Sequence, residues 1–210
     1  MSKKVFVINK SDFFNHCYYD IEGIENLYGL IVRPNLKNEF TKLFNNGFMK
    51  NREEAEHDSN YKQIIPYIVL KTIIDNEEKF LLTFRKNTQT EIRLHNKYSI
   101  GIGGHIDSPD ADNVNSNTYI FYNAMYRELF EETDCDIDNI KSVDCVGLIN
   151  SEADEVSQVH LGVLVVMELY NKVAIKEKDK MDGIWVNKNE LKNIISQSEA
   201  WTKLVINYLI

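Results

Sequence analysis

Residues 99–110, "SIGIGGHIDSPD", lead through a polar run into residues 124–137, "AMYRELFEETDCDI", and this pairing decides how the chain reads. A glycine-rich turn enters a helix that carries Glu128, Glu131 and Glu132 beside Arg127. Like charges at helical spacing repel, so a helix selected only for stability would not gather them. With Glu128 as the zero of a helical wheel, Glu132 falls near +40° and Glu131 near −60°, one sector about 100° wide. Arg127 lies just outside that sector, one turn from Glu131, where it can pair with that carboxylate. Tyr122, Tyr126, Leu129 and Phe130 fall opposite, so the wheel predicts a core face turned away from the acid face. Three adjacent carboxylates supply the hard oxygen donors preferred by Mg²⁺ or Mn²⁺. A plain solvated acidic face is the competing reading. The glycines at 101, 103 and 104 favour the metal, because a backbone carbonyl there can approach an ion closely.

Outward from this core, the chain reads as strands and helices without strict alternation. "QIIPYIVLKTIID" and "EEKFLLTFRK" are two strands joined through the turn-like "DNEE", and "YSIGIGGHID" is a third extended segment. "SPDADNVNSN" reads as a surface loop, and a helix is expected over about 117–133. "VDCVGLIN" and "VHLGVLVVMELY" are strands, the second apolar enough to be buried on both faces. "GIWV" leads into the helix of "NKNELKNIIS", and "SEAWTKLVINYLI" makes a last amphipathic helix. Upstream, "KVFVIN" is a short strand, "KNEFTKLFNNGFMKNREEAEHD" a helix, a glycine break and a charged tail, and "NREEAEHDSN" a linker or solvated helix end. The expected organisation is an N-terminal extension over residues 1–60 and a domain over 61–210, a mixed β-sheet covered by helices.

Composition narrows the function classes. The 210 residues are 43% hydrophobic, enough for a real core, and a formal charge of −8 argues against a broad phosphate-backbone surface. A small phosphorylated ligand stays compatible, since a bound divalent ion reverses the local sign. Cys17, Cys135 and Cys145 have no paired or metal-like spacing and read as reduced thiols of a cytoplasmic protein. The apolar run of "MSKKVFVINKSDFF" is broken by Asn9, Lys10 and Asp12, and no run approaches the ~20 apolar residues of a membrane span. No membrane association and no extended nucleic acid are expected.

"RELFEET" resembles the heart of the Nudix box, G-x5-E-x7-R-E-U-x-E-E-x-G-U with U apolar. Arg127, Glu128, Leu129, Glu131 and Glu132 match one for one, and Cys135 matches the last apolar position. The resemblance spans roughly 62–195. It departs upstream, where counting back from Arg127 finds Tyr119 at the first Glu and Asn113 at the first Gly, as if the loop were lengthened. Asp107, Asp110 and Asp112 are candidates for the displaced Glu, which in the family anchors the arginine. Asp134 stands at the later Gly, where a left-handed conformation is expected.

The resemblance implies an α/β (α+β) fold of the Nudix αβα-sandwich type. It also implies a pyrophosphohydrolase that cleaves a nucleoside diphosphate linked to another moiety, with Mg²⁺ or Mn²⁺ as cofactor. Glu128, Glu131 and Glu132 would ligate metal with the Gly103 carbonyl, and a late-domain acid, Glu177 or Asp179, would join them. Glu128 and Glu131 would carry catalysis, with Arg127 orienting the acids. Arg85, Arg93 and His105 are candidate substrate contacts, each with a plain surface or turn role as its alternative. His160 reads as a sheet histidine, and Trp185 and Trp201 as core residues that could instead stack on a base. The Phe/Tyr-rich N-terminal segment could cap a pocket or make a homodimer contact. The lost Glu and Gly motivate a different reading, a non-catalytic nucleotide-sensing module.

Overall fold

The computed structural model describes residues 3–13, 29–32, 36–86, 97–152 and 155–210. Its strands are β1 (Lys4–Asn9), β2 (Gly29–Val32), β3 (Phe48–Asn51), β4 (Tyr61–Ile74), β5 (Glu77–Arg85), β6 (Tyr98–Ser99), β7 (Gly101–Ile102), β8 (Ile140–Asn150), β9 (His160–Leu169) and β10 (Met181–Val186). Its helices are α1 (Leu36–Asn45), α2 (Arg52–Glu56), α3 (Asn117–Glu132), α4 (Glu155–Gln158), α5 (Lys188–Ile194) and α6 (Ala200–Leu209). The chain divides into two compact units that share β4, β8, β9 and α3: one of residues 1–67, 103–126 and 145–164, the other of 68–102, 127–144 and 165–210.

In the first unit the strands run in the order β3, β1, β4, β9, β8, β2. The N-terminal segment is woven into this sheet: β1 pairs antiparallel with β4, Val7 opposite Gln63 and Asn9 opposite Tyr61. Alternation along β1 sends Phe6 to one face and Val5 and Val7 to the other. Phe6 meets Phe44 of α1, which stacks on Phe121 of α3 at 5.1 Å. Ala55 of α2 packs on Val5 and Val7 with Tyr61 beside it. The polar stretch read as a linker or a solvated helix end supplies Asn51 of β3 and then forms α2. Its carboxylates face water while one small residue, Ala55, reaches the core.

In the second unit the order is β10, β5, β4, β9, β8, with β6 on β5 and β7 on β4. β4 and β5 join through Asp75 and Asn76 at φ 52° and 61°, two left-handed residues as a two-residue hairpin turn requires. β9 is buried nearly throughout, as its continuous apolar run predicts. Asn187 and Glu190 form a capping box that starts α5, and α6 buries Thr202, Val205 and Ile206. Thr202 also accepts a hydrogen bond from the Ile100 amide at 3.2 Å, fixing the kink between β6 and β7. The fold is a mixed sheet flanked by helices. Among the described residues no helix is long and apolar enough to cross a membrane.

Candidate functional site

The acid turn closes α3. Ile120, Phe121, Ala124, Met125 and Leu129 are the buried residues of its core stripe. Glu128 and Glu132 continue that stripe at three- and four-residue spacing, so they lie on the buried side of the helix rather than opposite it. This corrects the wheel: Tyr122, Tyr126 and Phe130, expected in the core, are only half-buried. Ala124 and Met125 fill the close-packed position, and the Tyr122 hydroxyl meets the Cys145 thiol. Glu128 is consequently only 13% exposed, whereas Glu131 is 57% exposed.

A carboxylate taken out of water needs a cation. Arg127 supplies it, donating from Nη1 to Glu128 at 2.7 Å and to Glu131 at 3.2 Å. The Glu131 contact is the four-residue pairing read from the sequence. Oε2 of Glu132 is shielded from solvent.

A strap from residues 174 to 180 runs along the end of this helix. Thr133 bridges Ile175, the Asp134 amide donates to the Ala174 carbonyl at 3.0 Å, and the Lys176 amide donates to the Glu132 carbonyl at 2.8 Å. The Lys176 ammonium caps the Phe130 carbonyl at 2.7 Å, placing a cation at the negative end of the helix. Asp134 is not left-handed as expected; its carboxylate accepts the Ala174 amide at 2.7 Å and ties the strap down. Asn113, at the position of the first box glycine, is the residue that adopts the left-handed conformation, at φ 60°. Asn accepts that region better than most residues.

The strap also carries Glu177, which holds the Lys180 ammonium at 2.5 Å. That hydrogen bond, with the fields of Glu177, Asp179 and Glu132, keeps Lys180 above the usual lysine range. Glu177 and Glu132 thus act on one ammonium, so this structure links the late-domain strap to the acid turn. Among the described residues no three His, Cys, Asp or Glu side chains converge tightly enough to hold a metal ion. Here Arg127 and Lys180 supply the counter-charge. The donor chemistry still suits a hard divalent ion, being carboxylate oxygen throughout, with one oxygen already withdrawn from water.

Gly103, in the first unit, has φ +141°, and a Cβ there would sit 1.9 Å from the Pro66 carbonyl oxygen. Only glycine fits this approach. His105 faces His160, Nε2 to Nε2 at 3.1 Å, and the Nδ1 of His160 lies 2.7 Å from the Val156 carbonyl. Burial, then the positive fields of His160, Arg52 and Lys3, pushes His105 down to about 2. It is neutral at physiological pH, which removes the charge a phosphate contact would use. Asp107 pairs with Lys3 at 2.8 Å, and the Asp110 carboxylate accepts the Asp107 amide at 2.8 Å. Tyr119 is 63% exposed.

Arg85, expected to meet substrate, donates instead to Glu199 at 2.8 Å in a largely buried pair. Arg93 and Cys17 lie outside the described residues, and among those residues Cys135 and Cys145 form no disulfide. Trp185 donates its indole N–H to the Val173 carbonyl at 2.9 Å, a packing role. Sequence reasoning passed over Lys176, Lys180 and Glu199. Their partners lie far along the chain, and nothing local marks them.

No protein-family model matches the sequence. The curated protein YmaB of Bacillus subtilis (strain 168) is 34% identical over 162 residues, 75% of this chain and 76% of that protein. The crystal structure of Tm1382, provisionally a Nudix hydrolase, matches 98% of this chain and 97% of its own, with TM-score 0.78 and 29% identity. A Nudix hydrolase from Alicyclobacillus acidocaldarius, 11% identical, shares the fold over 70% of this chain and 90% of its own at TM-score 0.52. The chain belongs to the Nudix superfamily. Its N-terminal strands belong to the matched fold too, since the Tm1382 match extends over almost the whole chain.

Proposed function

We propose that this protein is a pyrophosphohydrolase that cleaves the phosphoric anhydride of a nucleoside diphosphate linked to another moiety, with Mg²⁺ or Mn²⁺ as cofactor. The observation that carries this reading is the acid turn: Glu128 and Glu132 sit on the buried side of α3, a costly place for carboxylates that merely face solvent. Glu128, Glu131 and Glu132 would hold the ion, with Glu177 from the strap as a further oxygen donor. A bound divalent ion neutralises pyrophosphate oxygens and lowers the pKa of an attacking water. Arg127 orients Glu128 and Glu131. Glu128 or Glu131 is the general base that takes the proton of the attacking water. Lys180, held by Glu177, lies in the field of Glu132, one of the acids that would hold the cation.

A non-catalytic nucleotide-sensing module is the second reading, motivated by exposed Tyr119 at the position of the first box Glu. The test is phosphate release from a panel of nucleoside-diphosphate compounds with Mg²⁺ or Mn²⁺. Glu131→Gln and Glu132→Gln are each expected to lower turnover by roughly 10²–10³-fold, as removal of transition-state charge stabilisation does elsewhere. Nucleotide binding without metal-dependent turnover across the panel would establish the sensor instead.

A further inference from the structure

We propose a second cation site, of imidazole type, formed by His105, His160 and Gln63 in the first unit. It is independent of the hydrolase reading and takes a different class of ion.

The argument starts with proton placement. The Val156 carbonyl can only accept, so the Nδ1 of His160, 2.7 Å away, carries the hydrogen. Its Nε2 then holds a lone pair, and the opposed Nε2 of His105, at 3.1 Å, must carry the shared proton. The His160 half is the arrangement seen in metal-binding histidines, where one ring nitrogen donates to a backbone carbonyl and turns the other toward the ion. Two nitrogens bound to Zn²⁺ at 2.0–2.1 Å in tetrahedral geometry stand about 3.3 Å apart. The observed separation needs only a few tenths of an ångström of adjustment. On binding, His105 moves its proton from Nε2 to Nδ1, which frees the second lone pair without net proton release.

A further donor stands in register. The Gln63 amide donates to the Val159 carbonyl at 2.7 Å, and β4 and β9 are sheet neighbours. The Thr72 hydroxyl reaches the Leu169 carbonyl near the other end of the same strands, so they run parallel. In parallel pairing, a residue that donates to position 159 sits opposite position 160 with its side chain on the same face. Gln63 thus neighbours His160. It is 1% exposed, and among the described residues neither amide atom of its side chain has a hydrogen-bond partner. A buried carboxamide left in that state costs free energy that a bound ion or ordered water would recover. Its oxygen is the third ligand, and an ordered water completes four.

Arg52 and Lys3 bear on His105, but each is paired with its own carboxylate, Glu56 at 2.7 Å and Asp107 at 2.8 Å. Imidazole donors suit Zn²⁺ and Co²⁺, whereas Mg²⁺ prefers oxygen alone. A bound ion would tie the Gly103–Gly104 turn, which His105 follows, to the start of β9.

The test is titration of the full chain with Co²⁺, read by its visible absorption, then competition with Zn²⁺. One equivalent should develop the intense spectrum of four-coordinate cobalt. Zn²⁺ should bleach it and excess Mg²⁺ should leave it. His105→Gln and His160→Gln should each weaken binding by at least 10-fold, and Glu131→Gln should not. In the unaltered protein, ¹⁵N imidazole shifts should move at both Nε2 atoms on adding stoichiometric Zn²⁺, a readout that needs no variant to fold. Absence of the band, its loss to Mg²⁺, its survival in both histidine variants, or unmoved imidazole shifts would each overturn the site.

Discussion

Replacing Arg85 by Met separates a structural role from a substrate role. The guanidinium Nε lies 2.8 Å from Glu199, and the two side chains are 20% and 9% exposed. Burial raises the Glu199 carboxyl above its usual range even though Arg85 and Ser99 pull the other way, so desolvation is the dominant influence on this acid. Removing one partner of a buried pair leaves an uncompensated charge and costs about 3–5 kcal/mol. Water can reach the partly exposed arginine side, so the expected loss is nearer ~2–4 kcal/mol. The measurement is urea denaturation followed by circular dichroism. The double variant Arg85→Met/Glu199→Gln should recover most of the loss, since it removes both charges. The pH dependence has a definite sign. An acid whose folded pKa is raised keeps its stability contribution at low pH and loses it as pH rises. Without Arg85, Glu199 would take up a proton more readily in the fold, so the deficit should be largest near neutrality and shrink on acidification. The reasoning fails if Arg85→Met unfolds at the wild-type midpoint but raises KM for a hydrolysed diphosphate, because then the guanidinium serves substrate.

Gly103→Ala should lower stability by more than ~3 kcal/mol: backbone strain at φ +141° accounts for about 1–3 kcal/mol, and the Cβ collides with the Pro66 carbonyl; an unchanged melting temperature would contradict this. Glu152 holds both Lys10 and fully buried Lys62 at 2.9 Å, so Glu152→Gln should cost about 3–5 kcal/mol while Lys62→Met stays within ~1.5 kcal/mol of wild type. Burial holds Lys62 below the usual lysine range, so the Glu152→Gln deficit should shrink at alkaline pH; equal losses in the two variants would refute the asymmetry. His105, pushed down to about 2, stays neutral in the fold while the unfolded chain binds its proton below about pH 6.5, so stability falls as pH drops through that window. The slope is at most about 1.4 kcal/mol per pH unit, and His105→Gln should flatten it between pH 6.5 and 5 in denaturant titrations.

The sequence by itself determined the elements whose signals are local. The bounds of α3, the buried run of β9, the turn at Asp75 and Asn76, and the Arg127–Glu131 pair all follow from preferences within one or two helical turns or a few strand residues. Such preferences act through backbone sterics and neighbouring side chains, which the chain carries wherever it goes. Tertiary structure decided the rest. Which side of α3 is buried depended on what packs against Ala124 and Met125, and that brought Glu128 and Glu132 inward. The short β3 exists because β1 pairs with it, whereas α2 combines a local cap by Asn51 and the Arg52–Glu56 pair with the packing of Ala55 on Val5 and Val7. Arg85 and Glu199 are 114 residues apart, and His105 and His160 are 55 apart. Their meeting depends on strand register and chain reversal, and no spacing in the sequence encodes either.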